Sequence, residues 1–117
     1  MEKIAELSVV SEARSRSCVV VDLSGELDVA TVPELRHRLT TLITSGHREL
    51  VLDAGALEFV DATGLGCLVH AANRARAAGG WVRLIRVGQK HRRLLLILGL
   101  GRTLPDYEDL ADALREA

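Results

Sequence analysis

The feature that most constrains this chain is a hydrophobic period that switches back and forth between two and about 3.6 residues. Cys18-Val-Val-Val-Asp-Leu is a strand pattern rich in β-branched residues, and a weaker strand over Glu6 to Ser11 precedes it. The short polar stretch Glu12 to Ser17 between them suits an antiparallel hairpin. After Gly25-Glu-Leu-Asp28 the period changes, and Val32, Leu35, Leu39, Leu42 and Ile43 repeat as one face of a helix does. Thr31 and Glu34 have the spacing of a capping box at its start, Pro33 is tolerated in the first turn, and Gly46 ends it. Glu49 to Asp53 reads as a third strand, with the near-continuous apolar run of a buried parallel position. A second helix follows Asp61, with Leu65, Leu68, Val69, Ala72 and Ala75 on one face, and Gly79-Gly80 stops it. Trp81 to Val87 is a fourth strand, and Gln89 to Leu98 a third helix ended by Gly99. A short fifth strand is expected near Arg102 to Leu104, and Pro105 opens a last helix through Arg115. The order β-β-α-β-α-β-α-β-α predicts an α/β fold: a mixed sheet of four to five strands flanked by four helices, with right-handed crossovers in its parallel part.

Composition narrows the function classes. The 117 residues suit a single domain, 1–117, without repeats or linkers. Only Phe59, Trp81 and Tyr107 are aromatic, so the core is built from Leu, Val, Ile and Ala. Fifteen Lys and Arg against sixteen Asp and Glu leave a net charge of −1, which argues against a nucleic-acid binder, and three aromatics give few platforms for stacking bases. The longest apolar run, Leu94 to Leu98, falls far short of the roughly 18 residues of a membrane span. Met1-Glu2-Lys3-Ile4 lacks a basic region followed by an apolar stretch, so no signal peptide is expected. A cytoplasmic chain with no direct membrane contact is the expectation. Cys18 and Cys67 share no CxxC or CxxH spacing and read as small buried hydrophobes.

Parallel strands place their carboxyl ends on one rim, where ligands of open α/β sheets bind. Asp28, Asp53 and Asp61 all fall there on this reading. Grouped acids can hold Mg²⁺ through their oxygens, whereas Asp28 and Asp61 can instead cap turns and helices, and capping is the preferred reading. Asp53 at a strand end suggests a receiver phosphoacceptor, but the acidic pair and the Lys that such a site requires do not appear in order. Gly64 and Gly66 form a G-x-G without the third glycine of a dinucleotide fingerprint, since position 69 is Val69. His37, His47, His70 and His91 show no metal-ligand spacing and read as surface residues. No nucleophile motif is present, so neither catalysis nor a metal or cofactor of its own is expected.

The segment Leu57-Glu-Phe-Val-Asp-Ala-Thr-Gly-Leu-Gly66 is the unusual one. It puts Asp61, Ala62 and Thr63 at a helix start, where free backbone N–H groups and the helix dipole favour negative charge. A phosphorylated hydroxyl there gains about 0.3–1 kcal/mol from the dipole. Its charge of about −1.5 to −2 disrupts any partner packed over the turn beside a fixed Asp61. The local geometry suits a binding switch.

These residues resemble the STAS family, the sulfate transporter and anti-sigma factor antagonist domains. The likeness rests on Gly25-Glu-Leu-Asp28, on Leu57 to Gly66 and on Gly99-Leu100, and it spans nearly the whole chain. It implies a mixed sheet flanked by helices and the role of an anti-anti-sigma factor. Such a protein binds an anti-sigma factor that is also a serine kinase of the histidine-kinase-like ATPase fold, and so releases a sigma factor. The kinase phosphorylates the antagonist at this helix start, a phosphatase resets it, and ATP and Mg²⁺ belong to the kinase. Free-standing members also serve as accessory subunits of ABC-type lipid transporters, which is the alternative reading. The family segment reads Asp-Ser-Ser/Thr-Gly, with the first hydroxyl as acceptor. Here that position is Ala62, and Thr63 follows, pointing about 100° further round the helix. Thr63 either substitutes as acceptor, or the chain is a constitutive antagonist, or it is a docking module outside the kinase circuit. A first-turn hydroxyl that satisfies backbone groups is the plainer role for Thr63.

Asp28, Asp61, Ala62, Thr63 and Gly64 are therefore expected at the contact surface, with Gly64 admitting the partner's backbone. In the third helix, Leu94, Leu95, Ile97 and Leu98 are expected to face inward, while Leu96 lies about 200° from Leu94 and faces out. Family members often carry a polar residue at that position. Leu96, with Leu57 and Phe59, is the candidate apolar part of the interface. The oligomeric state is expected to be a monomer or a weak dimer.

Overall fold

The computed structural model describes residues 6–115. The Met1 to Ile4 segment lies outside the described residues. A five-stranded sheet in the order β1-β2-β3-β4-β5 is built from β1 (Leu7–Ala13), β2 (Cys18–Leu27), β3 (Glu49–Val60), β4 (Trp81–Ile85) and β5 (Asp106–Tyr107). β1 and β2 form the expected antiparallel hairpin, and β2, β3, β4 and β5 run parallel. Four helices join or follow the strands: α1 (Val32–Thr44), α2 (Ala62–Ala77), α3 (Gln89–Ile97) and α4 (Leu110–Arg115).

Alternation along the strands splits the apolar residues between the two faces. Val19, Val21, Leu23, Leu50, Leu52, Val82 and Leu84 meet Leu35, Leu39 and Ile43 of α1, Leu65, Leu68 and Ala72 of α2, and Leu95 of α3. Val51 and Ile85 face the other way, against Ala113 of α4, with Val20, Trp81 and Tyr107 around them. Arg83 lies buried on that second face. Its guanidinium stacks 3.8 Å from the Trp81 ring centroid and donates to the Ala113 carbonyl at 2.7 Å, which ties α4 to the sheet. Cys18 and Cys67 are buried free thiols, as the sequence suggests, and burial pushes both thiols up from their ordinary pKa.

Several expectations need correction. β3 does not stop at Asp53. It runs on to Val60 beside the end of β2, through register shifts that small residues such as Gly55 and Ala56 allow. Asp53 thus lies inside a strand, where Arg86 donates to its Oδ2 at 2.9 Å and the Gly55 N–H to its Oδ1 at 2.9 Å. The Thr31–Glu34 capping box does not form, because the buried Thr31 hydroxyl turns back to donate to the Glu26 carbonyl at 2.9 Å. The fifth strand is Asp106–Tyr107, not Arg102 to Leu104, and α4 begins at Leu110, beyond Pro105. Two residues hold a strand there only because Leu84 and Ile85 of β4 supply the ladder. In α3, Leu95 is buried but Ile97 is 71% exposed and Leu98 is also exposed. Ile97 stands about 200° round from Leu95, so once Leu95 faces the sheet, Ile97 cannot. His47 and His91 are half-buried instead of lying on the surface.

Candidate functional site at the carboxyl rim

The site is built where β2 and β3 end together. Leu27 pairs with Val60, so the next residues, Asp28 and Asp61, leave neighbouring strands at the same level. The Asp61 N–H donates to the Leu27 carbonyl at 3.2 Å, which stitches the two exits.

Asp61 takes extended backbone angles as the N-cap of α2, and its Oδ1 accepts from the Gly64 N–H at 2.8 Å. This is the capping role expected of it, and it fixes a negative charge at the positive end of the helix. Asp28 plays a similar part in the loop ahead of α1. Its Oδ1 accepts from the N–H groups of Ala30 at 2.9 Å and Thr31 at 3.2 Å, and its own N–H donates to the Thr31 hydroxyl at 3.0 Å. Sequence reasoning missed Thr31, which cross-links the Glu26 carbonyl and the Asp28 amide. The signal was present as an Asp followed three residues later by a Thr, but it was assigned to a helix cap. With these carboxylates engaged by backbone, and Asp53 by Arg86, no three His, Cys, Asp or Glu residues among those described come together as a metal site.

Ala62 and Thr63 are both exposed in the first turn of α2. The Thr63 hydroxyl makes no hydrogen bond among the described residues, since Asp61 does the capping. A structural role for that hydroxyl is therefore not what the fold uses it for. Gly64 is buried, which corrects the idea that it admits a partner. A Cβ there would lie 2.6 Å from the Leu27 Cγ and 2.8 Å from the Leu27 carbonyl oxygen, so this glycine lets α2 sit against β2. Gly25, with φ of +106°, has a parallel task in the hairpin, where a Cβ would strike the Glu6 carbonyl oxygen.

The apolar candidates separate. Phe59 is 45% exposed near the end of β3. Leu57 turns inward against the main core and, with Val60, Leu65, His91, Leu94 and Leu95, lines a void of only about 20 Å³ under α3. Leu96 is 71% exposed and shares its surface groove with Gln89, Lys90, Arg92 and Arg93. The rim thus unites Asp28, Phe59, Asp61, Ala62 and Thr63, and leaves Leu57 inside and Leu96 on a neighbouring helix.

No helix among the described residues is long and apolar enough to cross a membrane. Comparison with known proteins gives this geometry its family. The profile of the family described as "Mlab, STAS domain" matches residues 10–115. An anti-sigma F factor antagonist from Paenibacillus polymyxa is 32% identical over 102 residues, covering 86% of this chain and 87% of that one. The crystal structure of an anti-sigma factor antagonist from Mycobacterium paratuberculosis superposes with a TM-score of 0.82 at 29% identity, over 94% of this chain and 92% of that one. The anti-sigma factor antagonist SpoIIAA in its unphosphorylated form gives 0.79 at 26% identity, over 94% and 98%. The chain belongs to the STAS-domain family, and the relatives that it resembles are anti-sigma factor antagonists.

Proposed function

We propose that this chain is an anti-sigma factor antagonist that captures its partner on the carboxyl rim, at the first turn of α2, and so frees a sigma factor for transcription. The observation that carries the reading is an exposed helix start, Ala62-Thr63, framed by two carboxylates that backbone hydrogen bonds hold in place. Rigid, charged and open, this turn is a preorganised contact surface that loses little freedom on binding. Phe59 adds an apolar contact beside it, and Asp28 and Asp61 supply fixed negative charge. The partner is an anti-sigma factor with the histidine-kinase-like ATPase fold and serine kinase activity, acting in the cytoplasm. ATP-driven release at this turn runs through Thr63, the one hydroxyl there, with a phosphatase to reverse it. Ala62 cannot accept phosphate.

That missing hydroxyl also favours a second reading, in which the chain is an unphosphorylated accessory subunit of an ABC-type lipid transporter and the same turn docks its ATPase. Affinity capture of the tagged chain from its own cells, with mass spectrometry of what is bound, separates the two. Recovery of an ATPase-fold anti-sigma factor is the expected result. Recovery of a transporter ATPase with its permease instead overturns the first reading in favour of the second.

A further inference from the structure

Charge is segregated along this chain. From Ala62 to Pro105 there is no Asp or Glu and there are eight Lys and Arg, whereas the remainder holds all sixteen acids and seven bases. The fold carries this division onto the surface. Glu6 and Glu34, with Glu26 and Glu58, which already have partners, line an open groove of about 680 Å³ where β1 begins, β2 ends and α1 starts. Exposed Val29 and Phe59 lie on the segments that adjoin it.

The outward side of α3 is the opposite in charge. Lys90, Arg92 and Arg93 lie in its first turns and Leu96 and Ile97 follow, each 71% exposed. Arg92 is tied to Asp106 at 2.7 Å, but Lys90 and Arg93 form no ion pair among the described residues. The helix has no acid in its first turn and no base in its last. Its cations therefore sit at the positive end of the dipole and work against the helix that bears them. Folding accounts for Arg92, through Asp106 and the Val87 carbonyl, but not for Lys90, Arg93 or the two exposed aliphatics.

Both surfaces share one rim. α1 begins after β2 and α3 after β4, and these strands are parallel, so the acidic groove and the start of α3 flank the α2 turn on the same side. A twofold axis through such a rim sets each copy's α3 over the other copy's groove, which makes the contact twice and closes the assembly. A net charge of −1 leaves little long-range repulsion between copies.

We propose that two copies of this chain pair rim to rim, with the basic, aliphatic face of α3 on the acidic Glu6–Glu34 groove of the other, and that the pair covers the first turn of α2. On the antagonist reading above, the dimer is a stored form that cannot capture its partner until it separates.

Analytical ultracentrifugation of the purified chain alone tests this at low and high salt. The dimer forms at low salt and weakens as salt rises. Glu34→Lys and Arg93→Glu each weaken it by about tenfold or more, and the double variant restores it, because the exchanged charges again face each other. Leu96→Gln weakens it at both salt concentrations, and far-UV circular dichroism confirms that each variant is folded. A monomer up to about millimolar concentration overturns the proposal. So does a dimer indifferent to both reversals, a double variant that stays weak, or an open ladder of oligomers. The chain is measured without any partner, so this failure leaves the antagonist reading standing. A chain that dimerises but captures no anti-sigma factor overturns the antagonist reading alone.

Discussion

Two glycines in α2 offer a perturbation with its own control. Gly64→Ala puts a methyl group 2.6 Å from the Leu27 Cγ and 2.8 Å from the Leu27 carbonyl, where ordinary contacts need 3.4–4 Å. The carbonyl is backbone and accepts from Asp61, so it cannot swing aside, and α2 must lift from β2. Overpacking of this kind costs about 1–3 kcal/mol. Gly66→Ala has nothing within 4 Å to meet. Both substitutions gain about 0.8–1 kcal/mol of helix propensity, which cancels when one is compared with the other. Gly66→Ala should therefore be more stable than Gly64→Ala by the overpacking cost alone, about 1–3 kcal/mol. For a chain of this length 1 kcal/mol moves Tm by about 4 °C, so the two melting points should stand about 4–12 °C apart. Urea unfolding followed by circular dichroism reads the same difference at 25 °C. If Gly64→Ala is as stable as Gly66→Ala, then Gly64 does not serve the packing of α2 on β2, and its assignment here is wrong.

Further outcomes follow from the same geometry. Asp61→Ala removes the acceptor of the Gly64 N–H and should cost about 0.5–2 kcal/mol in urea unfolding, while Asp61→Asn, which still accepts, should cost less; equal losses would remove the cap from the account. Burial first, and the neighbouring Lys90 charge second, hold His91 below its ordinary pKa of 6.5. The unfolded chain then binds the proton more readily, so stability is full above that pH and falls as pH drops through it. His91→Gln should flatten this slope in a series of urea midpoints, and an unchanged slope would place its origin elsewhere. Burial also raises both cysteine thiols, so Cys18 and Cys67 should react with a thiol reagent only as fast as the chain opens. Immediate labelling of the folded protein would contradict their placement.

The order and type of the elements were legible because period is a local property: Val32 to Ile43 and Leu65 to Ala75 announce helices without knowledge of their neighbours. The extension of β3 was not, because Asp53-Ala-Gly-Ala carries no alternation and is held in the sheet by β2 across register shifts. Asp106–Tyr107 is likewise a strand only because β4 lies beside it. Within the site, the Asp61 cap and the exposed Ala62 and Thr63 follow from an Asp ahead of a helix. Gly64 was misread for a reason that sequence cannot supply. Its neighbour is Leu27, brought there by the pairing of β2 with β3, and a glycine that admits a strand looks the same in one dimension as a glycine that admits a partner. Leu57 and Ile97 show the converse. Ile97 was placed inward from helical spacing and Leu57 was grouped with the outward Leu96 and Phe59, and the rotation of one short helix and the pairing of one strand reversed them.

The account stands most directly on the claim that the first turn of α2 is the docking surface. Ala62 is exposed, makes no side-chain hydrogen bond and has no task in the core, so Ala62→Arg should leave the fold intact while setting a long cation across that turn. Capture of the anti-sigma factor from cell lysate, with the tagged wild-type chain beside the tagged variant, is the measurement. The account predicts that the wild type retains the partner and the variant loses it. Equal recovery by a folded variant would contradict it.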